Sequence, residues 1–241
     1  MISVVTLSQY KRNPLLRLLT QCIESQTKKP NEWVIVEGSS TKEDADQNAL
    51  FISDMKKTCL ISIVYVPFEE GTKLGGLRNR GNQACSGDII VCMDDDDFYP
   101  STRIEHVVER FHQFPTFTIA GCTNMVLYDF SSGTLYQCRG YHSNHSTNNA
   151  MAWKKSYLDH HQYDKEKTFG EESSFTNQFS EPMIQLSPLH TVITSCHSSN
   201  TFDKTNVLEN RNVFHILDPS IVTKLVPESL FKQYESIFTL I

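Results

Sequence analysis

Ile89-Ile90-Val91-Cys92-Met93-Asp94-Asp95-Asp96-Asp97-Phe98-Tyr99-Pro100 is the stretch on which the fold turns. Five consecutive apolar residues, without polar alternation, read as a strand covered on both faces, the condition of a central parallel strand. Four aspartates then fall at its carboxyl end, where open α/β sheets place their ligands. Four like charges this close repel one another, and burial would sharpen the repulsion. A divalent cation bridged to a phosphorylated ligand is the simplest relief. Oxygen-only ligands favour magnesium, manganese or calcium over zinc. The competing reading is a solvated acidic loop, which the strand before it and the aromatic-proline turn after it disfavour.

Working outward, residues 2–7 (ISVVTL) predict a first strand. Asn13-Pro14 then opens a helix, with Asn13 suited to cap it and Pro14 to its first position. Leu15, Leu18, Leu19, Cys22 and Ile23 repeat at helical spacing and make one apolar face. Residues 33–36 predict a second buried strand, a polar helix with Ala49, Leu50, Ile52 and Met55 follows, and residues 60–66 predict a third strand. Strands alternating with helices imply a parallel sheet with right-handed crossovers. Ile104, Val107, Val108 and Phe111 mark the helix beyond the aspartates.

After Pro115 the pattern changes. Residues 117–127 and 133–138 read as strands joined by the turn Asp129-Phe130-Ser131-Ser132-Gly133, and residues 183–186 as a short strand. The expected division is a nucleotide-binding half over residues 1–115, an acceptor-binding and catalytic half over 116–224, and a helical tail over 225–241. In that tail Leu225, Val226, Leu230, Phe231, Tyr234, Ile237, Phe238, Leu240 and Ile241 are spaced to cover the chain's own core, the alternatives being a partner- or membrane-facing helix and a disordered end.

A hydrophobic content of 39% over 241 residues supports a substantial core. The net charge of −6, without a basic block, argues against nucleic acid as a partner. Seven cysteines form no CxxC pair and several lie within apolar runs. Reduced thiols and a cytoplasmic location are expected, the cytosolic face of a membrane included. No apolar run approaches the roughly 20 residues that cross a bilayer, so any membrane contact would be peripheral.

The order of motifs resembles a glycosyltransferase of the GT-A fold, family 2 type. Residues 6–8 (Thr6-Leu7-Ser8), then Val34-Ile35-Val36-Glu37-Gly38-Ser39, are similar to that family's donor-binding start. Gly75-Gly76-Leu77-Arg78-Asn79-Arg80-Gly81 resembles its G-x-x-x-A-R-N-x-G segment, with Leu77 where alanine is usual. Met93-Asp94-Asp95-Asp96-Asp97 resembles its metal-binding D-x-D region. The resemblance spans roughly residues 2–200 and implies an α/β fold: a largely parallel nucleotide-binding sheet flanked by helices, with a smaller mixed sheet on the acceptor side.

By that resemblance, Thr6, Ser8 and Glu37 would line the nucleoside pocket, with Arg78 and Asn79 beside the nucleotide. Physically, an arginine there either pairs with phosphate oxygens or fixes a neighbouring carboxylate. Asp94 would approach the ribose or a metal-bound water, Asp96 would ligate Mn2+ or Mg2+, and Asp95 would share either task. His197 would complete the metal shell, with His142, His145 and His190 as competitors. Glu171-Glu172 falls where an inverting enzyme has its base, and Glu172 is favoured; read without the resemblance, the pair is an acidic first helical turn. Trp153 reads as core rather than a sugar platform.

The expected activity is metal-dependent transfer of a sugar from a nucleotide-sugar donor, UDP-linked, to a glycan or glycoconjugate hydroxyl, with inversion. The alternatives are a sugar-phosphate nucleotidyltransferase and an inactive carbohydrate-binding scaffold. The first lacks its Gly-rich basic loop, since Thr6-Leu7-Ser8-Gln9-Tyr10-Lys11-Arg12 stands in its place. The second would not need the full set of acidic groups.

Overall fold

The computed structural model describes residues 1–197 and 214–238. Two sheets organise it. The larger has seven strands in the order β3-β2-β1-β4-β8-β5-β9, and the smaller has four in the order β10-β6-β7-β11. In the larger sheet, β1 (Ile2–Ser8), β2 (Glu32–Glu37), β3 (Ser62–Val66) and β4 (Ile89–Cys92) run parallel. The sheet then continues through the antiparallel β8 (Ala152–Lys154) to β5 (Ile119–Gly121) and β9 (Ile184–Gln185). The smaller sheet holds β6 (Val126–Asp129), β7 (Thr134–Cys138), β10 (Ile193–Cys196) and β11 (Phe214–Ile216). This is the expected α/β, GT-A-like arrangement.

Side-chain alternation sends the central strands into two cores. Val4, Trp33, Ile35 and Val91 pack with Leu16 and Leu19 of α1 (Asn13–Glu24), Ile52 of α2 (Lys42–Thr58), and Ile104 and Val107 of α4 (Arg103–Gln113). Val5, Val34, Val36, Ile90 and Cys92 face the opposite way, toward Leu77 and Ala84 of α3 (Leu74–Ala84) and toward Trp153, Tyr163 and Phe175. Removing most of a buried leucine such as Leu19 would cost about 2–5 kcal/mol. Helix α3 lies close on the sheet because Gly81 presents no Cβ; one added there would come within 2.8 Å of Val5 and 2.9 Å of Val36.

Several local expectations are corrected. Asn13 does not cap α1: it lies inside the helix, Arg12 occupies the cap position, and the Asn13 Oδ1 has no hydrogen-bond partner. The reason is a 3-10 turn, Tyr10–Arg12, that begins the coiling one step earlier. Leu60, expected in the third strand, is 79% exposed and precedes it. The single strand expected over residues 117–127 is two strands in different sheets, β5 and β6. The chain leaves the larger sheet after Gly121, where a Cβ would strike Ser146 at 2.4 Å.

The C-terminal segment forms α6 (Ser220–Leu225) and α7 (Glu228–Phe238). Val222, Val226, Leu230, Tyr234 and Phe238 are buried in the main core, so this segment covers the chain's own interior as expected. Leu240 and Ile241 lie outside the described residues. No helix among the described residues is long and apolar enough to cross a membrane.

Candidate active site

A cleft of about 1040 Å³ opens at the carboxyl ends of β1 and β4 and runs over to the smaller sheet. Its walls include Ser8, Arg12, Arg78, all four aspartates, Asn148, Asn149, Glu171 and Glu172. The acidic run is therefore not a solvated loop. Asp95 and Asp97 are 1% and 3% exposed.

Each aspartate is held differently. Asp94 accepts two bonds from Arg78, Nη1 at 2.8 Å and Nη2 at 3.4 Å, and its backbone N–H donates to the Tyr99 hydroxyl at 2.7 Å. Asp95 accepts from the Ser8 hydroxyl at 2.7 Å and from Arg12 Nη1 at 2.9 Å. Burial pushes the Asp95 carboxyl up to about 7, with Asp96 adding to the rise and Arg12 and Ser8 opposing it. Asp96 accepts from the same Arg12 Nη1 at 3.0 Å, and His197 Nε2 lies 3.6 Å from its Oδ2. Asp97 turns inward, accepting from Asn149 Nδ2 at 2.5 Å and from the Ser195 N–H at 2.8 Å.

Arg78 carries the other side of the cleft. It is 8% exposed, and its Nε donates to Glu171 at 3.2 Å while Nη1 and Nη2 hold Asp94. Burial alone would lower its pKa; Asp94, Cys92 and Glu171 outweigh that and raise it. The Asn148 amide is best satisfied with its oxygen toward this guanidinium, accepting from Nη1 at 2.9 Å and Nε at 3.1 Å, and its nitrogen toward the Tyr163 hydroxyl. Of the two roles open to an arginine here, the structure has it fixing carboxylates.

Glu171 and Glu172 sit at the start of α5 (Glu172–Phe175). Glu171 is tied to Arg78, whereas Glu172 forms no ion pair among the described residues. Burial and then the neighbouring Glu171 push the Glu172 carboxyl above its ordinary value, the direction that makes a carboxylate a better proton acceptor.

Three expected pocket residues do not line the cleft. The Thr6 side chain is fully buried, donating to the Met93 carbonyl at 2.7 Å and accepting from Trp33 Nε1 at 2.9 Å. Glu37 is 1% exposed, and its carboxylate accepts from the Ser39 N–H, Asn48 Nδ2 and the Tyr65 hydroxyl at 2.6–2.8 Å. Asn79 clamps the backbone of Tyr163, donating to its carbonyl at 2.8 Å and accepting from its N–H at 2.9 Å. Trp153 is core, edge-on to Phe175. His190 lies instead beside His106 and Thr102, while His145 reaches the cleft wall near Tyr141.

Among the described residues no three His, Cys, Asp or Glu side chains converge as a metal-holding cluster. Asp96 and His197 are a pair. Such a pair fits Mg2+ or Mn2+ when diphosphate oxygens and water supply the remaining positions, the usual case where metal and phosphate bind together.

The sequence profile described as glycosyl transferase family 2 matches residues 3–168, more than half of the chain. The chain belongs to that family. Among curated relatives of this family 2 protein, glycosyltransferase YwdF of Bacillus subtilis is 30% identical over 109 residues, or 45% of this chain. The amylovoran biosynthesis glycosyltransferase AmsE of Erwinia amylovora is 28% identical over 106 residues, or 43% of this chain. The matches span 37% and 38% of those two relatives' own length. Solved structures share the fold. S. aureus TarS 1–349 in complex with UDP-GlcNAc superposes with a TM-score of 0.59 at 13% identity, over 83% of this chain and 59% of that one. The mannosyltransferase PcManGT of Pyrobaculum calidifontis, in complex with GDP-Man and Mn2+, gives 0.57 at 11% identity, over 98% and 73%.

Two groups at the family 2 site escaped the sequence reading. Arg12 bridges Asp95 and Asp96, and Tyr99 ties Asp94 to the Asn149 carbonyl at 3.3 Å. A signal for Arg12 was present: a cation at a helix N-terminus opposes the helix dipole, so it needs an anion nearby.

Proposed function

We propose that this chain transfers a sugar from a nucleotide-sugar donor, UDP-linked, to a hydroxyl of a glycan or glycoconjugate, with inversion at the anomeric carbon. One observation carries the reading: a single guanidinium, Arg78, bridges Asp94 of the acidic run and Glu171, leaving the adjacent Glu172 without an ion pair among the described residues. Glu172 takes the acceptor hydroxyl's proton; the freed oxygen bonds to the anomeric carbon from the side opposite the diphosphate. The bond between that carbon and the diphosphate oxygen breaks, and its electron pair leaves with the nucleoside diphosphate.

Asp96 and His197 would hold the divalent cation, which when bound offsets charge on the diphosphate. Asp94 faces the ribose side, and Ser8 and Asp95 shape the wall beside it. Thr6 fixes the start of the acidic run, and Glu37 and Asn79 hold the Ser39 and Tyr163 segments, without touching substrate. The Thr6 hydroxyl fixes the Met93 carbonyl, the residue just before the acidic run.

The test is Glu172→Gln with UDP-GlcNAc and other nucleotide sugars as donors. Transfer falls by about 10²–10⁴-fold while UDP affinity stays within a factor of two or so, the usual loss for a proton-transfer group. Unchanged transfer in Glu172→Gln, with loss in Glu171→Gln, would move the base by one residue. NMR of the product's anomeric centre decides inversion.

A further inference from the structure

One atom, Arg12 Nη1, stands 2.9 Å from Asp95 Oδ1 and 3.0 Å from Asp96 Oδ2, between the two carboxylates. A single positive nitrogen shared by two carboxylate oxygens occupies the kind of place a metal ion would take. His197 Nε2 lies 3.6 Å from that same Asp96 oxygen. A divalent cation drawn to Asp96 would meet the guanidinium's charge at close range, and the two cannot both be stable there.

We propose that Arg12 is a built-in counter-cation that excludes the divalent metal from Asp96 until a nucleoside diphosphate arrives to receive the guanidinium. This rests on the reading of Asp96 as a metal ligand given above and adds the order of events. Guanidinium groups pair with phosphate oxygens as readily as with carboxylates, so the donor's diphosphate offers Arg12 a second partner. The exchange conserves charge pairing: metal replaces arginine at Asp96 as arginine moves to phosphate.

Arg12 is built to move in a way that Arg78 is not. Its side chain is 23% exposed and stands on the cleft wall, against 9% for Arg78, which is held by two carboxylates and Asn148. Arg12 also sits at the N-cap of α1, without a side-chain cap bond, where the helix dipole repels it. The aspartates hold it there against that repulsion, and Asp95 keeps its bond to Ser8 when Arg12 departs. Metal alone therefore binds weakly, and metal with diphosphate binds well.

The experiment titrates Mn2+ against the full chain, following the electron paramagnetic resonance signal of the free ion, with and without UDP and with GDP as a second nucleotide. Arg12→Gln binds Mn2+ alone about tenfold or more tightly than the unmodified chain, as removal of a like charge within a few ångströms requires. UDP then improves Mn2+ binding less in Arg12→Gln than in the unmodified chain. Asp96→Asn loses the Mn2+ in both backgrounds. Equal Mn2+ affinity in Arg12→Gln and the unmodified chain, with Asp96→Asn still defective, overturns the exclusion and leaves the metal site standing. Mn2+ binding that survives Asp96→Asn overturns both. Should Arg12→Gln fold poorly, arginine side-chain NMR on the unmodified chain decides, with Arg12→Lys assigning the signal. The Arg12 resonance moves when Mg2+ and UDP are added together, and a resonance that stays in place overturns the proposal.

Discussion

Replacing Arg78 by methionine removes the guanidinium while keeping a chain of similar length, and the structure fixes what is left behind. Glu171 is 5% exposed in its side chain and loses its ion pair outright; Asp94, at 25%, loses two bonds but keeps some water. Breaking a buried pair by removing one partner costs about 3–5 kcal/mol, and the exposure of Asp94 discounts its share, so about 4 kcal/mol in total is expected. That is a large part of the roughly 5–15 kcal/mol that holds a domain together. Urea unfolding at neutral pH in metal-free buffer measures it. In a Glu171→Gln background the same substitution should cost about 2 kcal/mol less, because one of the two carboxylates no longer needs a counter-charge. A cost below about 1 kcal/mol, or one that does not change with Glu171→Gln, would mean that water rather than Arg78 satisfies these carboxylates.

The pH profile of transfer should show an acidic limb set by Glu172, lying above the ordinary carboxylate range because burial and Glu171 raise that group. Activity is lost as pH falls through it, and Glu171→Gln should move the limb to lower pH; a limb that stays put rejects the coupling. His106 accepts from the Ser187 N–H through Nε2 at 3.0 Å, and burial, then His190, lowers its pKa to about 4. Its depressed value means that stability is fully present above pH 6.5 and lost as pH falls toward 4, by about 1–2 kcal/mol after discounting partial exposure. His106→Gln should flatten that part of the curve of stability against pH. Gly75→Ala would place a Cβ 2.0 Å from the Asp164 carbonyl oxygen, so the 163–167 segment must lift from α3. A loss of about 1–3 kcal/mol and faster proteolysis within that segment are expected, and an unchanged melting temperature would count against the close approach.

The central sheet was readable because parallel strands buried on both faces leave continuous apolar runs, and β1, β2 and β4 are such runs. The position of the acidic run followed from β4, and the turn between β6 and β7 from its Asp-Phe-Ser-Ser-Gly composition. The split of residues 117–127 was not legible, because an apolar run records burial and not the sheet that buries it. Motif spacing placed Thr6, Glu37 and Asn79 near the cleft but could not say which way they turn. Trp33, Tyr65 and Tyr163, distant in sequence, claim their polar atoms. Sequence could name His197 but could not tell that, unlike His190, it lies beside Asp96 and stacks on Phe238, since both contacts come from segments distant in the chain.

The Tyr234 hydroxyl of α7 donates to the Asp97 carbonyl at 3.0 Å across 137 residues, and Phe238 stacks on His197 at 4.2 Å. Closing so long a loop is slow relative to local pairing. During refolding, the parallel strands should therefore assemble first, and the pairing of His197 with Asp96 should emerge in a later phase, timed by the docking of that last helix.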